Sequence, residues 1–234
     1  KPIQILFNSM IDKSVFPAAL KRTVVIPIFK SGDEHEASNY RPVSIPISLN
    51  KVLEREIYEQ IEEYLKMNEL LDPYQYGFTK GKGCSDIIAK VAAETSKAVD
   101  KKKVVILISL DLSKAFDKLD HNLLIRKLQD IGFDKKALEL IKDYLSNRHQ
   151  HVRIGDKLSI IGLILSGVPQ GTNLGPLLFS IFINDMKRLP THSKVFKFAD
   201  DTLLLFELDV KNSDGLNYAE MMRQDLQLIT DYYD

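Results

Sequence analysis

Two spacings of apolar residues alternate along this chain, and together they predict its elements. "TVVIPIF" (Thr23 to Phe29) has the character of a strand and is followed by a polar loop, "KSGDEHEASNYRP". From Leu49 to Leu65, Val52, Leu53, Ile57, Ile61, Tyr64 and Leu65 recur at helical spacing with Glu and Lys opposite, which predicts an amphipathic helix. A second helix is expected from Ser85 to Asp100. "VVILISL" (Val104 to Leu110) is apolar at nearly every position, the pattern of a strand buried on both faces. Asp120 and Asp134 stand where N-caps are expected for two amphipathic helices, "HNLLIRKLQDI" and "KKALELIKDYL", separated by Gly132. "QHVRIGDKLSIIGLIL" predicts a hairpin turning at Gly155–Asp156, and Pro176 opens an apolar helix, "PLLFSIFINDM". "KFADDTLLLF" (Lys197 to Phe206) reads as strand, tight turn, strand, with Asp200 and Asp201 in the turn. A helical pattern, "LNYAEMMRQDLQLITDYY", comes last. Strands and helices mix without repeats, linkers or regular alternation, so the fold class is α+β.

Composition narrows the function. At 234 residues and 44% hydrophobic, the chain can bury a core as one large domain or two small ones. Its longest purely apolar run, Val104 to Ile108, is far below the ~18 residues of a membrane span. The start, "KPIQILFNSMIDKS", lacks the pattern of a signal peptide, and no membrane partner is expected. A single cysteine, Cys84, excludes an intrachain disulfide framework and points to an intracellular setting. Lys+Arg and Asp+Glu are both 32, so no net positive charge advertises a nucleic-acid partner. The basic residues nevertheless cluster, in "KRT", "TKGKG" and "DKKK", and a basic groove can coexist with an acidic site.

Such an acidic site is suggested by Asp111, directly after the apolar run Val104 to Leu110, and by the adjacent pair Asp200–Asp201. Ionised carboxylates beside a core are costly unless paired or bound to a metal, and neighbouring ones repel. Hard divalent cations favour oxygen ligands, and Mg2+ is commonly held by one or two carboxylates together with substrate phosphates. Three such aspartates suit two-ion phosphoryl transfer. Asp is also an ordinary turn residue, and spacing alone does not show that the three meet.

The surrounding text resembles reverse transcriptases, most closely those of non-LTR (LINE-like) retrotransposons. "SLDLSKAFDKLDHNLLIRKL" and "KFADDTLLLF" are similar to the family's two catalytic blocks, and "SGVPQGTNLGPLLFSIFINDM" to its template- and nucleotide-positioning block. "LFNSMIDKSVFP", "VVIPIFKSGD", "NYRPVSI" and "QYGFTKGKG" resemble its fingers blocks in order, so the likeness runs from about Leu6 to Phe206. It implies the fingers–palm core of a right-hand polymerase with a catalytic β-hairpin in the palm. Residues 1–100 would be mainly fingers, and 101–234 mainly palm, ending before the thumb. It also implies an RNA-directed DNA polymerase working on RNA template, DNA primer and dNTPs. Asp111, Asp200 and Asp201 would be the catalytic aspartates, holding two Mg2+ ions (Mn2+ in substitution) with the main-chain carbonyl of Leu112.

Four further residues fall at the family's nucleotide-binding positions. Phe116 stands at the steric gate against a ribose 2′-OH, and by residue type is equally a core aromatic. Gln170 matches the residue that contacts the nucleotide, while Lys30 and Arg41 match those that engage the triphosphate. Gly167, Gly171 and Gly175 would let the backbone turn tightly, and His121 reads as a helix-start residue rather than a ligand. Departures from the family pattern are Thr79 for the Arg after "GF", Gly83–Ser85 for its Ser-Thr, and Leu20 for its Trp. Flanking endonuclease and thumb regions of one polyprotein are expected partners, and the nucleus is the expected location if integration is target-primed. A group II intron type reverse transcriptase is the neighbouring alternative, and an RNA-binding polymerase relic the non-enzymatic one.

Overall fold

The structure, a computed structural model, describes residues 1–112, 115–209, 211 and 217–233. In chain order the elements begin α1 (Pro2–Asp12), β1 (Arg22–Phe29), β2 (Tyr40–Ile45), α2 (Ser48–Met67), α3 (Cys84–Asp100) and β3 (Val104–Leu110). Next come α4 (Ala115–Lys118), α5 (His121–Asp130), α6 (Lys135–Leu145), β4 (Arg148–Ile154), β5 (Lys157–Leu158) and β6 (Gly162–Ile164). The last are α7 (Leu174–Phe182), β7 (Ser193–Phe198), β8 (Asp201–Leu208) and α8 (Tyr218–Tyr233). Helix and sheet are mixed as the sequence predicts. Ser113 and Lys114 of "DLSKAF", and Leu216 at the start of the last helical pattern, lie outside the described residues.

Two compact units divide the chain, each built from two segments: Lys1–Leu70 with Lys114–Phe182, and Leu71–Ser113 with Ile183–Asp234. This division by compactness is different in kind from the functional split expected near residue 100. The first unit carries a sheet in the order β2-β1-β4-β5, with β6 also paired to β4. β1 and β2 are antiparallel, while β1 and β4 run parallel. Beside the sheet, α2 buries Leu53, Ile57, Ile61 and Leu65, and α7 is buried at every residue except the half-exposed Pro176. An apolar helix with no polar face belongs in a core, which accounts for "PLLFSIF". Asp120 and Asp134 cap α5 and α6 as expected, accepting from the Leu123 and Ala137 amides at 2.7 and 2.8 Å.

The second unit holds an antiparallel sheet in the order β3-β8-β7, with α3 packed on it. Phe196 and Leu205 form its centre with Tyr76, and Ile87 and Val91 of α3 close over them. Two acidic side chains tie α3 to the strands: Lys194 bridges Glu94 and Glu207, while Lys90 and Lys103 add a cation to each.

Four expectations are corrected. β3 is an edge strand, not one buried on both faces: Val104 and Leu107 are 49% and 48% exposed. The buried middle strand is β8, because an unbroken apolar run does not reveal which strand has neighbours on both sides. The polar loop ends earlier than expected, since Tyr40, Arg41 and Pro42 already belong to β2. Pro42 faces Pro27 across the ladder. Counting from the bond between the Lys30 amide and the Asn39 carbonyl, that pair falls at a non-hydrogen-bonded position, where a missing N–H costs nothing. On α2, Val52 is exposed and Glu54, assigned to the polar face, is fully buried. α7 begins at Leu174, so Pro176 lies inside the first turn rather than opening it, at a position where no intrahelical N–H bond is required.

The charge network on α3 generates a pH dependence. Hydrogen bonds from Lys194 and then Lys90 hold the Glu94 carboxyl down at about 2, against 4.5 when unpaired. A depressed folded-state pKa adds stability above the unfolded value, and that stability is lost as pH falls through the folded one. Urea melts should therefore lose a contribution from Glu94 between about pH 4.5 and pH 2. Glu94→Gln should flatten that loss; an equally steep decline in the variant would show that the network carries no acid sensitivity.

Candidate functional site

The strand–turn–strand around Asp200 follows from register. Phe198 pairs with Asp201 at the end of the β7–β8 ladder, leaving Ala199 and Asp200 as a two-residue turn. Asp201 is thus the first residue of β8 rather than a turn residue. Short hairpin loops of this kind need positive φ, and Ala199 supplies it at +58°, a conformation costing a non-glycine residue roughly 1–2 kcal/mol. On the other side of β8, the last β3 pair is Leu110 with Thr202. Continuing that register by one residue sets Asp111 across from Asp201, with Leu112 immediately after it. The sheet therefore brings the three aspartates to one end.

Their electrostatics agree. The Asp201 carboxyl is pushed above its ordinary range by desolvation, then by the charge of Asp200 and then by that of Asp111. Among the described residues no cationic side chain forms an ion pair with any of the three. Also among the described residues, no group of three His, Cys, Asp or Glu side chains is gathered so as to hold a metal ion by itself. The donor set is all oxygen and uncompensated, which suits a hard divalent cation that completes its shell with water and phosphate oxygens.

What holds the turn lies beneath it. Residues Asp72 to Phe78 run along β7: Lys197 donates its amide to the Tyr74 carbonyl at 2.9 Å and accepts from the Tyr76 amide at 2.8 Å. Gly77 abuts the turn so closely that a Cβ there would lie 2.0 Å from the Ala199 nitrogen. Lys197 itself is fully buried, with its ammonium 2.8 Å from Asp72 Oδ2 and donating to the Ile183 carbonyl at 2.8 Å. "QYGF", read from the sequence as fingers text, is here the brace of the aspartate turn. Lys197 went unremarked in the sequence. Its place two residues along the strand from the buried Val195 was the available signal, because alternate strand residues share a face.

The first unit contains the remaining candidates. Ile28 pairs with Arg41, and the Lys30 amide bonds to the Asn39 carbonyl, so strand alternation puts Lys30 and Arg41 on the same face of the β1–β2 hairpin. Both are exposed. Phe116 stacks on Phe179 of α7 at 4.4 Å between ring centres and stays partly exposed. The segment Ser166 to Gln170 runs beside it: the Val168 amide donates to the Phe116 carbonyl and the Gly167 amide to the Leu119 carbonyl, each at 2.9 Å. Gly167 has φ +80°, and a Cβ there would meet the Phe116 oxygen at 2.5 Å. His121, the first residue of α5, bonds through Nε2 to the Gly167 carbonyl at 2.7 Å, a structural role as expected. Gln170 then lies against Asp117, its Nε2 donating to Oδ1 at 3.2 Å.

A buried carboxylate anchors the same loop. Glu54 accepts from Tyr144 Oη at 2.9 Å, Asn50 Nδ2 at 3.0 Å and the Asn173 amide at 2.9 Å. Burial pushes its pKa up, against the pull of those donors. Charged residues in an amphipathic helix are assigned outward by default. Only the i, i+3 and i, i+4 spacing of Asn50, Glu54 and the buried Ile57 and Ile61 pointed the other way.

Residues 28–229 match the family model for reverse transcriptase (RNA-dependent DNA polymerase), and the chain belongs to this family. It is 29% identical over 228 residues to a probable RNA-directed DNA polymerase from transposon BS of Drosophila melanogaster, covering 94% of this chain and 25% of that one. The RNA-directed DNA polymerase from mobile element jockey of the same fly is 31% identical, covering 87% and 22%. A Pol polyprotein from the type-1 retrotransposable element R2 of Popillia japonica is 29% identical, covering 83% and 28%. The chain thus spans about a quarter of the length of these curated relatives. Among solved structures, apo telomerase from Candida tropicalis, truncated from its C-terminal domain, shares the fold with a TM-score of 0.61 at 12% identity, over 98% of this chain and 50% of that one. The likeness to non-LTR retrotransposon reverse transcriptases therefore holds.

Gly77→Ala should damage the aspartate turn, because its new Cβ meets backbone that cannot rotate away. The expected loss is roughly 1–3 kcal/mol or more, read as a lowered thermal midpoint. A variant as stable as the parent would mean that Gly77 and Ala199 do not touch.

Proposed function

We propose that this chain is the polymerase core of an RNA-directed DNA polymerase from a non-LTR retrotransposon, extending a DNA primer on an RNA template. The observation that carries this reading is the gathering of Asp111, Asp200 and Asp201 at one end of the β3-β8-β7 sheet, without a counter-cation among the described residues, in a member of this family. In the family's terms that sheet would be the centre of the palm, and the β1–β2 hairpin part of the fingers. The thumb and an endonuclease would belong to other parts of the polyprotein, and the nucleus would be the place of action if integration is target-primed.

The carboxylates and the Leu112 carbonyl would hold two divalent ions, Mg2+ by preference for oxygen donors, with Mn2+ able to substitute. When bound, such ions neutralise charge on the attacking and leaving oxygens. The reaction joins the primer 3′ oxygen to the α-phosphorus of a dNTP and breaks the bond to the β-phosphate, releasing pyrophosphate and the hydroxyl proton. The protein's share is positioning and charge placement. Lys30 would meet the triphosphate as a point charge and Arg41 as a two-pronged donor, both from the same face of the hairpin. Gln170 would contact the nucleotide, and Phe116, backed by Phe179, would fill the space of a 2′-OH.

In the full-length polypeptide, Asp200→Asn should abolish primer extension while leaving the fold and most template binding intact. It removes a metal-binding charge at nearly constant volume, and such charge stabilisation is worth several kcal/mol. Near-normal extension by a folded variant would overturn the assignment.

Phe116→Val separates gate from packing. A gate predicts that rNTP incorporation rises relative to dNTP by an order of magnitude or more, at about 1.4 kcal/mol per factor of ten. Packing alone predicts a stability loss of roughly 1–3 kcal/mol and equal loss with both sugars. Single-turnover rates for one dNTP and its matching rNTP decide, and an unchanged ratio removes the gate.

A further inference from the structure

Gln170 carries an ambiguity that the structure resolves. The two ends of a side-chain amide are alike in shape but opposite in hydrogen-bonding sense, and the terminal torsion exchanges them at little steric cost. A glutamine aimed at a nucleotide can therefore present a donor or an acceptor. Asp117 removes the choice. Its carboxylate only accepts, and Gln170 Nε2 lies 3.2 Å from its Oδ1. Turning the amide over would set two acceptor oxygens against each other.

Both partners are held by main-chain contacts. The Asp117 carbonyl accepts from Ser166 Oγ at 2.9 Å, and the Gln170 carbonyl from the Ser44 amide at 2.8 Å. Between them, Gly167 sits too close to Asp117 for any side chain, with its Cβ position 2.7 Å from the Asp117 Cα. Gln170 and Asp117 line a cleft of about 280 Å3 with Ser44, Gln150, Ser166 and Pro169, all in the same compact unit. Gln170 Oε1 has no hydrogen-bond partner among the described residues.

We infer that Asp117 is a positioning residue for nucleotide recognition: it locks the Gln170 amide so that Oε1, an acceptor, faces the incoming nucleotide and meets a hydrogen-bond donor there. This rests on the reading of Gln170 as a nucleotide contact. Asp117 itself touches no substrate. It also follows Phe116 directly, so the residue proposed to exclude one sugar hydroxyl and the one proposed to orient an acceptor are chain neighbours.

The test is dNTP titration of primer extension by the full-length polypeptide, with thermal midpoints recorded alongside. Gln170→Ala should raise KM for dNTP about tenfold, the worth of one well-made hydrogen bond. Asp117→Ala should raise KM with kcat little changed, and Asp117→Asn, which keeps an acceptor oxygen, should restore most of it. The double variant Asp117→Ala/Gln170→Ala should be no worse than Gln170→Ala alone, since residues acting through one contact are not additive. A reversed pair guards against a variant that fails to fold. Gln170→Glu alone sets two carboxylates together and should raise KM, and adding Asp117→Asn, which can donate to Glu at 170, should lower it again. If Gln170→Ala leaves KM unchanged, the nucleotide-contact reading fails and takes this inference with it. If Gln170→Ala raises KM but Asp117→Ala does not, or the two effects add in full, or the reversed pair shows no recovery, Asp117 does not position Gln170 and the nucleotide contact stands without it.

Discussion

A single buried cation underlies the second unit. The Lys197 ammonium is shut away from water directly below the aspartate turn, and burial pulls its pKa down while Asp72 pulls it up. It touches Asp72 at 2.8 Å and donates to the Ile183 carbonyl. Removing one partner from such a pair leaves an uncompensated buried charge, at a cost of about 3–5 kcal/mol. The pair ties the segment Asp72 to Phe78 to β7, and so presses Gly77 against Ala199. The turn that carries Asp200, and leads into Asp201, is thus backed by a segment anchored on a buried ion pair.

The first unit solves a related problem with the opposite charge. Glu54 is buried among donors from three directions, and its contact with the Asn173 amide fastens the loop that follows Gln170. In both units the residues proposed for chemistry are exposed or half-exposed, while the charges that hold their supporting segments are buried. A surface charge can be offered to a ligand only when its backbone is fixed elsewhere, and a low-dielectric interior makes those fixings stiff.

Much of this was legible beforehand. Asp120 and Asp134 announce helix starts, Gly155–Asp156 announces a turn, and Asp200–Asp201 interrupts an apolar pattern that otherwise has no reason to break. These signals are local, and local signals survive tertiary packing. Element ends were misplaced by small shifts at Tyr40, Leu174 and Asp201, while the larger misreadings concern burial, which depends on neighbours far along the chain. Seven apolar residues at Val104–Leu110 do not say whether a strand has one partner or two. Glu54 and Lys197 look like surface charges until the partners that satisfy them, Tyr144 and Asp72, are brought in from distant segments. Asp117 was passed over for the same reason: its partner lies fifty-three positions away, in another motif.

The interleaving of the two units has a consequence for the birth of the protein on the ribosome. Synthesis delivers every residue of the first unit by Phe182, whereas the second is left half made, with residues 71–113 waiting for the strands that complete their sheet. β3 emerges long before β8, its partner in the ladder. At typical elongation rates the delay is on the order of ten seconds, during which an apolar strand has an unpaired edge. Such a segment is an aggregation hazard and a natural client for chaperones. Folding of the half that holds the aspartates is thereby coupled to the synthesis of β8, and a nascent polypeptide interrupted before β8 carries Asp111 with nothing across from it.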